Sequence, residues 1–118
     1  MLSSILIILI ALIHIYFFLL ESYLYTTVKG KKIFQLTDEK IKYTKVLAFN
    51  QGYYNLCFAG GLILGLILRN EALIVYLLGS IVLVGVVGAL SFSRKILWLQ
   101  AFPALITLII FLLQMKNL

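Results

Sequence analysis

Four long apolar runs separated by short polar stretches organise this chain, at residues 2–25, 44–68, 72–91 and 96–115. Each offers about the 20 consecutive residues that an α-helix needs to cross a bilayer core. The runs are continuous rather than alternating, which excludes the ~10-residue two-faced strands of a membrane barrel. The predicted fold is therefore an all-α membrane protein. Its 118 residues form a single transmembrane domain, an antiparallel four-transmembrane-helix bundle with little left over for a soluble module. The connections 69–71 and 92–95 read as tight turns. The one sizeable loop, 26–43, opens on a turn signal at Gly30. Thr37 followed by Asp38 and Glu39 is an N-cap with acids in the first turn, so a helix is predicted to start near Asp38 and run directly into the second span. Ile33, Phe34 and Leu36 are placed to dip into the headgroup region while the lysines around them face phosphates.

Composition agrees with this reading. Hydrophobic residues make up 64% of the chain and charged residues 12%, against roughly 45–50% and about 25% in soluble domains. The net charge of +6 does not point to nucleic acid, because most of the positive charge flanks the apolar runs. That is the signature of cytoplasmic loops beside anionic lipid. Lys29, Lys31, Lys32, Lys40, Lys42 and Lys45 belong to the first loop and its edge, and Arg94 and Lys95 to the third. Only Arg69 and Lys116 lie at the opposite ends. The asymmetry predicts both termini outside and the long first loop in the cytoplasm. The partners expected are the lipid bilayer and anionic headgroups at the lysine-rich loop, with no nucleic acid. The N-terminus lacks the basic n-region and small-residue cleavage site of a signal peptide, so the first span is expected to be retained. Cys57, the single cysteine, reads as a small core residue.

Glu21 lies inside the first apolar run, where a carboxylate costs several kcal/mol unless it is protonated, paired or facing water. His14 precedes it by about two helical turns and shares its face, about 10 Å away along the axis. Polar residues recur at a similar depth in the other spans. Asn50 and Gln51 stand between one and two turns into the second, with Tyr54 and Asn55 one turn deeper. Gln100 is about one turn into the fourth, Ser91 closes the third, and Tyr25 is one turn below Glu21. Lipid cannot satisfy such groups, so they are expected to converge in the bundle interior. The candidate ligand-binding residues are His14, Glu21, Tyr25, Asn50, Gln51, Tyr54, Asn55 and Gln100. The remaining tyrosines read as interfacial or packing residues. One His and one Glu on one helix do not make a metal site, and no cofactor is implied.

Two small-residue patterns, Gly61-x-x-x-Gly65 and Gly85-x-x-Gly-Ala89, provide faces for close helix approach within the chain or in a homo-oligomer. Pro103 is expected to kink or unwind the fourth span near Gln100. The first and third spans do not resemble each other, which argues against an inverted repeat within one chain.

Taken in order, several motifs carry a family likeness. They are His14-x-Tyr16-x-Phe18-x-x-Glu21, Tyr25-Thr-Thr, Gly30-Lys-Lys-x-Phe34, Asn50-Gln51-Gly52-x-Tyr54-Asn55, Ala59-Gly-Gly-Leu and Gln100-x-x-Pro103-Ala104. Together they resemble the domain-of-unknown-function 1304 family of small bacterial membrane proteins. The resemblance covers nearly the whole chain, and its most specific part is the segment from Asn50 to Asn55. It implies four helices and a multi-pass place in the bacterial cytoplasmic membrane, and it brings no established activity. Tyr25 stands where the family usually has Trp, and Leu56 where a small residue is usual.

Three functional classes remain. The leading one is a cytoplasm-facing polar pocket that binds or transports a small molecule, with Glu21 as its titrating group. The second is a membrane enzyme acting on a lipid or quinone-like substrate. In it His14 and Glu21 would act as acid and base, but it is disfavoured by the lack of a nucleophile–base pair at contact spacing, an HExxH motif or a Gly-rich phosphate loop. The third is a structural or assembly subunit whose polar groups only fix helix register.

Overall fold

The computed structural model describes residues 1–91 and 94–116. Among the described residues all regular structure is helical: α1 (Leu2–Ser22), α2 (Val28–Phe34), α3 (Asp38–Leu68), α4 (Glu71–Ser91), a π-helical segment (Leu97–Ala101) and α5 (Phe102–Lys116). Four helical stretches are long and apolar enough to cross a membrane: Leu2–Ser22, Asp38–Leu68, Glu71–Ser91 and Leu97–Met115. They correspond to the four apolar runs. Residues 92 and 93 of the expected third turn lie outside the described residues.

The first loop is where the expectation fails. Gly30 does not make a turn; it lies inside α2, a separate short helix that the sequence reading missed. Its φ is not positive, so it is not there for left-handed backbone. A Cβ at Gly30 would stand 2.1 Å from the Leu24 carbonyl oxygen and 2.6 Å from that of Tyr25. The chain reverses so tightly after α1 that only a residue without a side chain fits. Thr27 starts α2, its hydroxyl accepting from Gly30 N–H at 3.3 Å. Gln35 ends it in the left-handed region at φ 54°, with Leu36 N–H closing back onto the Lys31 carbonyl at 2.9 Å.

The start of α3 is as read: Thr37 Oγ1 accepts from Lys40 N–H at 3.1 Å, and Asp38 and Glu39 occupy the first turn. An ion pair between Lys31 Nζ and Asp38 Oδ1 at 2.7 Å ties α2 to it. Both side chains are well exposed, so water and salt screen the pair and its contribution is small. Cys57 is exposed on α3, not a core residue as expected, because the α3 face toward α1 carries Asn55 and Ala59 instead.

The chain divides into two compact units, residues 12–59 and residues 1–11 with 60–118. In the second, Gly61 and Gly65 of α3 meet Leu77 and Ile74 of α4, a pairing that makes these helices antiparallel. Leu62, Leu78 and Ile81 are fully buried there. Gly85 and Gly88 then meet Ala101 and Ile96, so α4 and the following segment also run antiparallel.

Pro103 has the local effect expected of it, in a particular form. Proline lacks an N–H and its ring collides with the carbonyl four residues back. The chain relieves this by widening one turn into the π-helical segment, where Phe102 N–H bonds the Leu97 carbonyl five residues back. Thr107 Oγ1 donates to the Pro103 carbonyl at 2.8 Å and is itself buried.

Gly85 faces backbone, where an added Cβ would come within 2.8 Å of both the Ala101 nitrogen and its Cβ. Backbone cannot move aside as the Leu77 methyls beside Gly61 can. Gly85→Ala is expected to lower stability by about 1–3 kcal/mol. Gly60→Ala, which meets nothing within 4 Å, should be neutral or stabilising by up to about 1 kcal/mol. Reversible unfolding in mixed micelles, run on both variants, checks the contrast.

Candidate functional site

In the unit of residues 12–59, the C-terminal half of α1 crosses α3 antiparallel, and the crossing is centred on Gly52. A Cβ there would lie 2.0 Å from Ser22 Oγ and 2.9 Å from the Phe18 carbonyl oxygen. Around it, successive residues leaving α1 each engage α3. Ser22 Oγ donates to the Phe49 carbonyl at 2.8 Å. The Tyr23 and Tyr53 hydroxyls are 2.5 Å apart. Thr44 Oγ1 donates to its own helix at the Lys40 carbonyl (2.6 Å), so the Tyr25 hydroxyl, 2.8 Å away, donates to Thr44.

Glu21 is part of this clasp. Its Oε1 accepts from Asn55 Nδ2 at 2.5 Å, and Asn55 also donates weakly to the Gln51 carbonyl at 3.4 Å. Asn55 is 4% exposed while Glu21 is half-buried. Among the described residues Asn55 is the one hydrogen-bond partner of the carboxylate. Phe18, Tyr23, Phe49 and Tyr53 stack edge-on and tilted beside the pair, with centroids 5.0–5.8 Å apart.

The other flank is open. Glu21, Tyr23, Tyr25, Lys45, Val46 and Phe49 line a mostly apolar cleft of about 290 Å³. Glu21 thus belongs both to the contact with Asn55 and to the lining of an accessible cleft.

The remaining candidates are placed as follows. His14 is 1% exposed and packs edge-on against Phe17 and Phe58, at 5.5 and 6.1 Å, away from the cleft lining. Asn50, Gln51 and Tyr54 stand on exposed positions of α3, with Tyr54 63% exposed. Of the polar candidates expected to converge on Glu21, the geometry brings Asn55 to its carboxylate. Gln100 lies in the π-helical segment and is half-buried. Ser91, expected at the same depth, bonds its own helix at the Val87 carbonyl (2.6 Å).

Sequence reasoning missed Ser22, Tyr23, Gly52, Tyr53 and Lys45. The glycine embedded between polar residues in Asn50-Gln51-Gly52-x-Tyr54-Asn55 was the available signal, since a glycine flanked by helix formers marks a close approach.

A family model described as "Protein of unknown function (DUF1304)" matches residues 8–112. No curated protein and no solved structure matches the chain.

The Glu21–Asn55 contact can be weighed by a double-mutant cycle of Glu21→Leu and Asn55→Leu. Asn55→Leu alone leaves a half-buried carboxylate without its donor, and the pair should show a coupling of about 1–2 kcal/mol in unfolding measurements in micelles. Additive effects would mean that the contact does not hold the crossing.

Proposed function

The chain belongs to the DUF1304 family, and from that premise we propose that it is a multi-pass protein of the bacterial cytoplasmic membrane that binds a small molecule in the cleft beside Glu21. In this reading its four long helices form an antiparallel transmembrane bundle with both termini outside. The loop carrying α2 lies in the cytoplasm. Glu21 is the titrating group of a pocket that opens toward the lysine-rich end, and Asn55 orients it.

The observation that carries the reading is the cleft. A carboxylate that served only to bind two helices together would be sealed between them, whereas Glu21 lines an accessible space with one oxygen held by Asn55. The lysines support the orientation. Lys29 of α2 extends over the Tyr16 ring at 5.3 Å, the posture of a long basic side chain laid along an apolar surface. With Lys32, Lys40 and Lys42 exposed nearby, anionic headgroups are the natural counter-charge.

A second reading draws on the clasp itself. Ser22, Tyr23 and Tyr25 all spend their hydroxyls on contacts with α3, as they would in a subunit whose polar residues set helix register for assembly.

Orientation is tested with single cysteines in a Cys57→Ala background. A membrane-impermeant maleimide should label Arg69→Cys in intact cells and label Lys32→Cys only after lysis, and the reverse pattern overturns the topology. For the ligand, a fragment library balanced in charge is titrated onto the protein while the ring resonances of Tyr23, Tyr25 and Phe49 are followed by NMR. At least one fragment should shift them in the wild type and not in Glu21→Gln. A library without such a fragment leaves the clasp as the better account.

A further inference from the structure

We propose that the ligand of the Glu21 cleft is a small organic cation, an amine or quaternary ammonium, with the carboxylate as its counter-ion and the rings of Tyr23, Tyr25 and Phe49 as its walls. This rests on the cleft being a small-molecule site and adds the chemical class of what it takes.

Among the described residues Glu21 is the sole acid lining the cleft. Asn55 fixes one of its oxygens but brings no charge, so the amide orients the carboxylate without neutralising it. An anion seated there would be set against a like charge and a neutral molecule would gain nothing from it, whereas a cation favours the ionised acid. Three of the lining residues are aromatic, and aromatic rings attract cations within about 6 Å. The volume of about 290 Å³ lies at the low end of the roughly 300–1,000 Å³ usual for small-molecule sites, which favours a compact ligand.

The other charged group on the cleft is Lys45, whose side chain is exposed. Its ammonium sits on a flexible four-carbon stem that can turn to water. It is thus an internal cation at the edge of a cation site, and an arriving ligand competes with it. Removing Lys45 should leave cation binding unchanged or strengthen it. For an anionic or zwitterionic ligand, Lys45 would be an anchor and its removal would weaken binding.

The test uses three compounds of one shape on the full chain in uncharged maltoside micelles: choline, its neutral isostere 3,3-dimethylbutan-1-ol and the anion 3,3-dimethylbutanoate. Binding is read from the tyrosine ring resonances. Choline is expected to bind saturably and at least about tenfold more tightly than either isostere. Glu21→Gln should remove that preference, and Lys45→Met should leave choline binding unchanged or tighter. If the alcohol or the butanoate binds as well as choline, the cation class is overturned while the small-molecule site stands. Loss of choline binding in Lys45→Met overturns it too. If none of the three shifts the rings, the cation class falls, and the charge-balanced fragments decide the fate of the site itself. The comparison of isosteres on the unaltered chain needs no variant to fold.

Discussion

The approach of α1 to α3 at Gly52 is the contact on which the unit of residues 12–59 depends. Without a Cβ at that position the Ser22 hydroxyl reaches the Phe49 carbonyl, and the Phe18 carbonyl lies against the glycine itself. In the bilayer proposed for these helices there is no hydrophobic drive to bring two of them together, so close packing and hydrogen bonds must do so. Every other feature of the site follows from that distance. Tyr23 meets Tyr53, Tyr25 reaches Thr44, and Asn55 comes within reach of Glu21. A larger residue at Gly52 would separate all of these at once. The segment from Asn50 to Asn55 is thus less a list of ligands than one face of a helix crossing, with Gly52, Tyr53 and Asn55 as its working positions.

What was legible in the sequence followed from long-range composition. Four runs of about 20 apolar residues leave the backbone no alternative to helix, since every N–H and C=O must be satisfied within the segment. The N-cap at Thr37 was also legible, because capping is decided by neighbours three residues apart. Gly30 was not. A glycine that permits a turn and a glycine that permits a close approach look alike in sequence, and only the nearness of the Leu24 and Tyr25 carbonyls separates them. The partner of Glu21 was narrowed to the polar residues near one level of the chain and no further. Helical depth is read from residue number, whereas which of Asn50, Gln51 and Asn55 faces α1 depends on how the helices are rotated. Asn55 wins because it shares the Gly52 side of α3, whereas Tyr54 is turned out.

Pro103 illustrates the same limit from another side. Its missing N–H guarantees a local departure from α-helix, but several departures satisfy that condition. The chain takes the one that adds a residue to a turn, and the π-helical segment carries Ala101 close against Gly85. Two small residues facing each other made that outcome affordable, since a wide turn with bulky side chains could not approach α4 so closely.

The identity of residue 21 bears on whether the crossing is merely structural. A glutamine there could pair with Asn55 as donor and acceptor with the same reach and no charge. The carboxylate makes a stronger, charge-assisted bond, roughly twice a neutral one, a gain of about 1 kcal/mol on the usual net value. Against that stands a cost of several kcal/mol for a charge in an apolar run. Holding two helices together does not require the charge, and on these magnitudes it is disfavoured. On the proposed reading the cleft beside Glu21 resolves the imbalance, because an acid held by Asn55 beside an accessible space can meet a counter-charge that arrives from outside the fold.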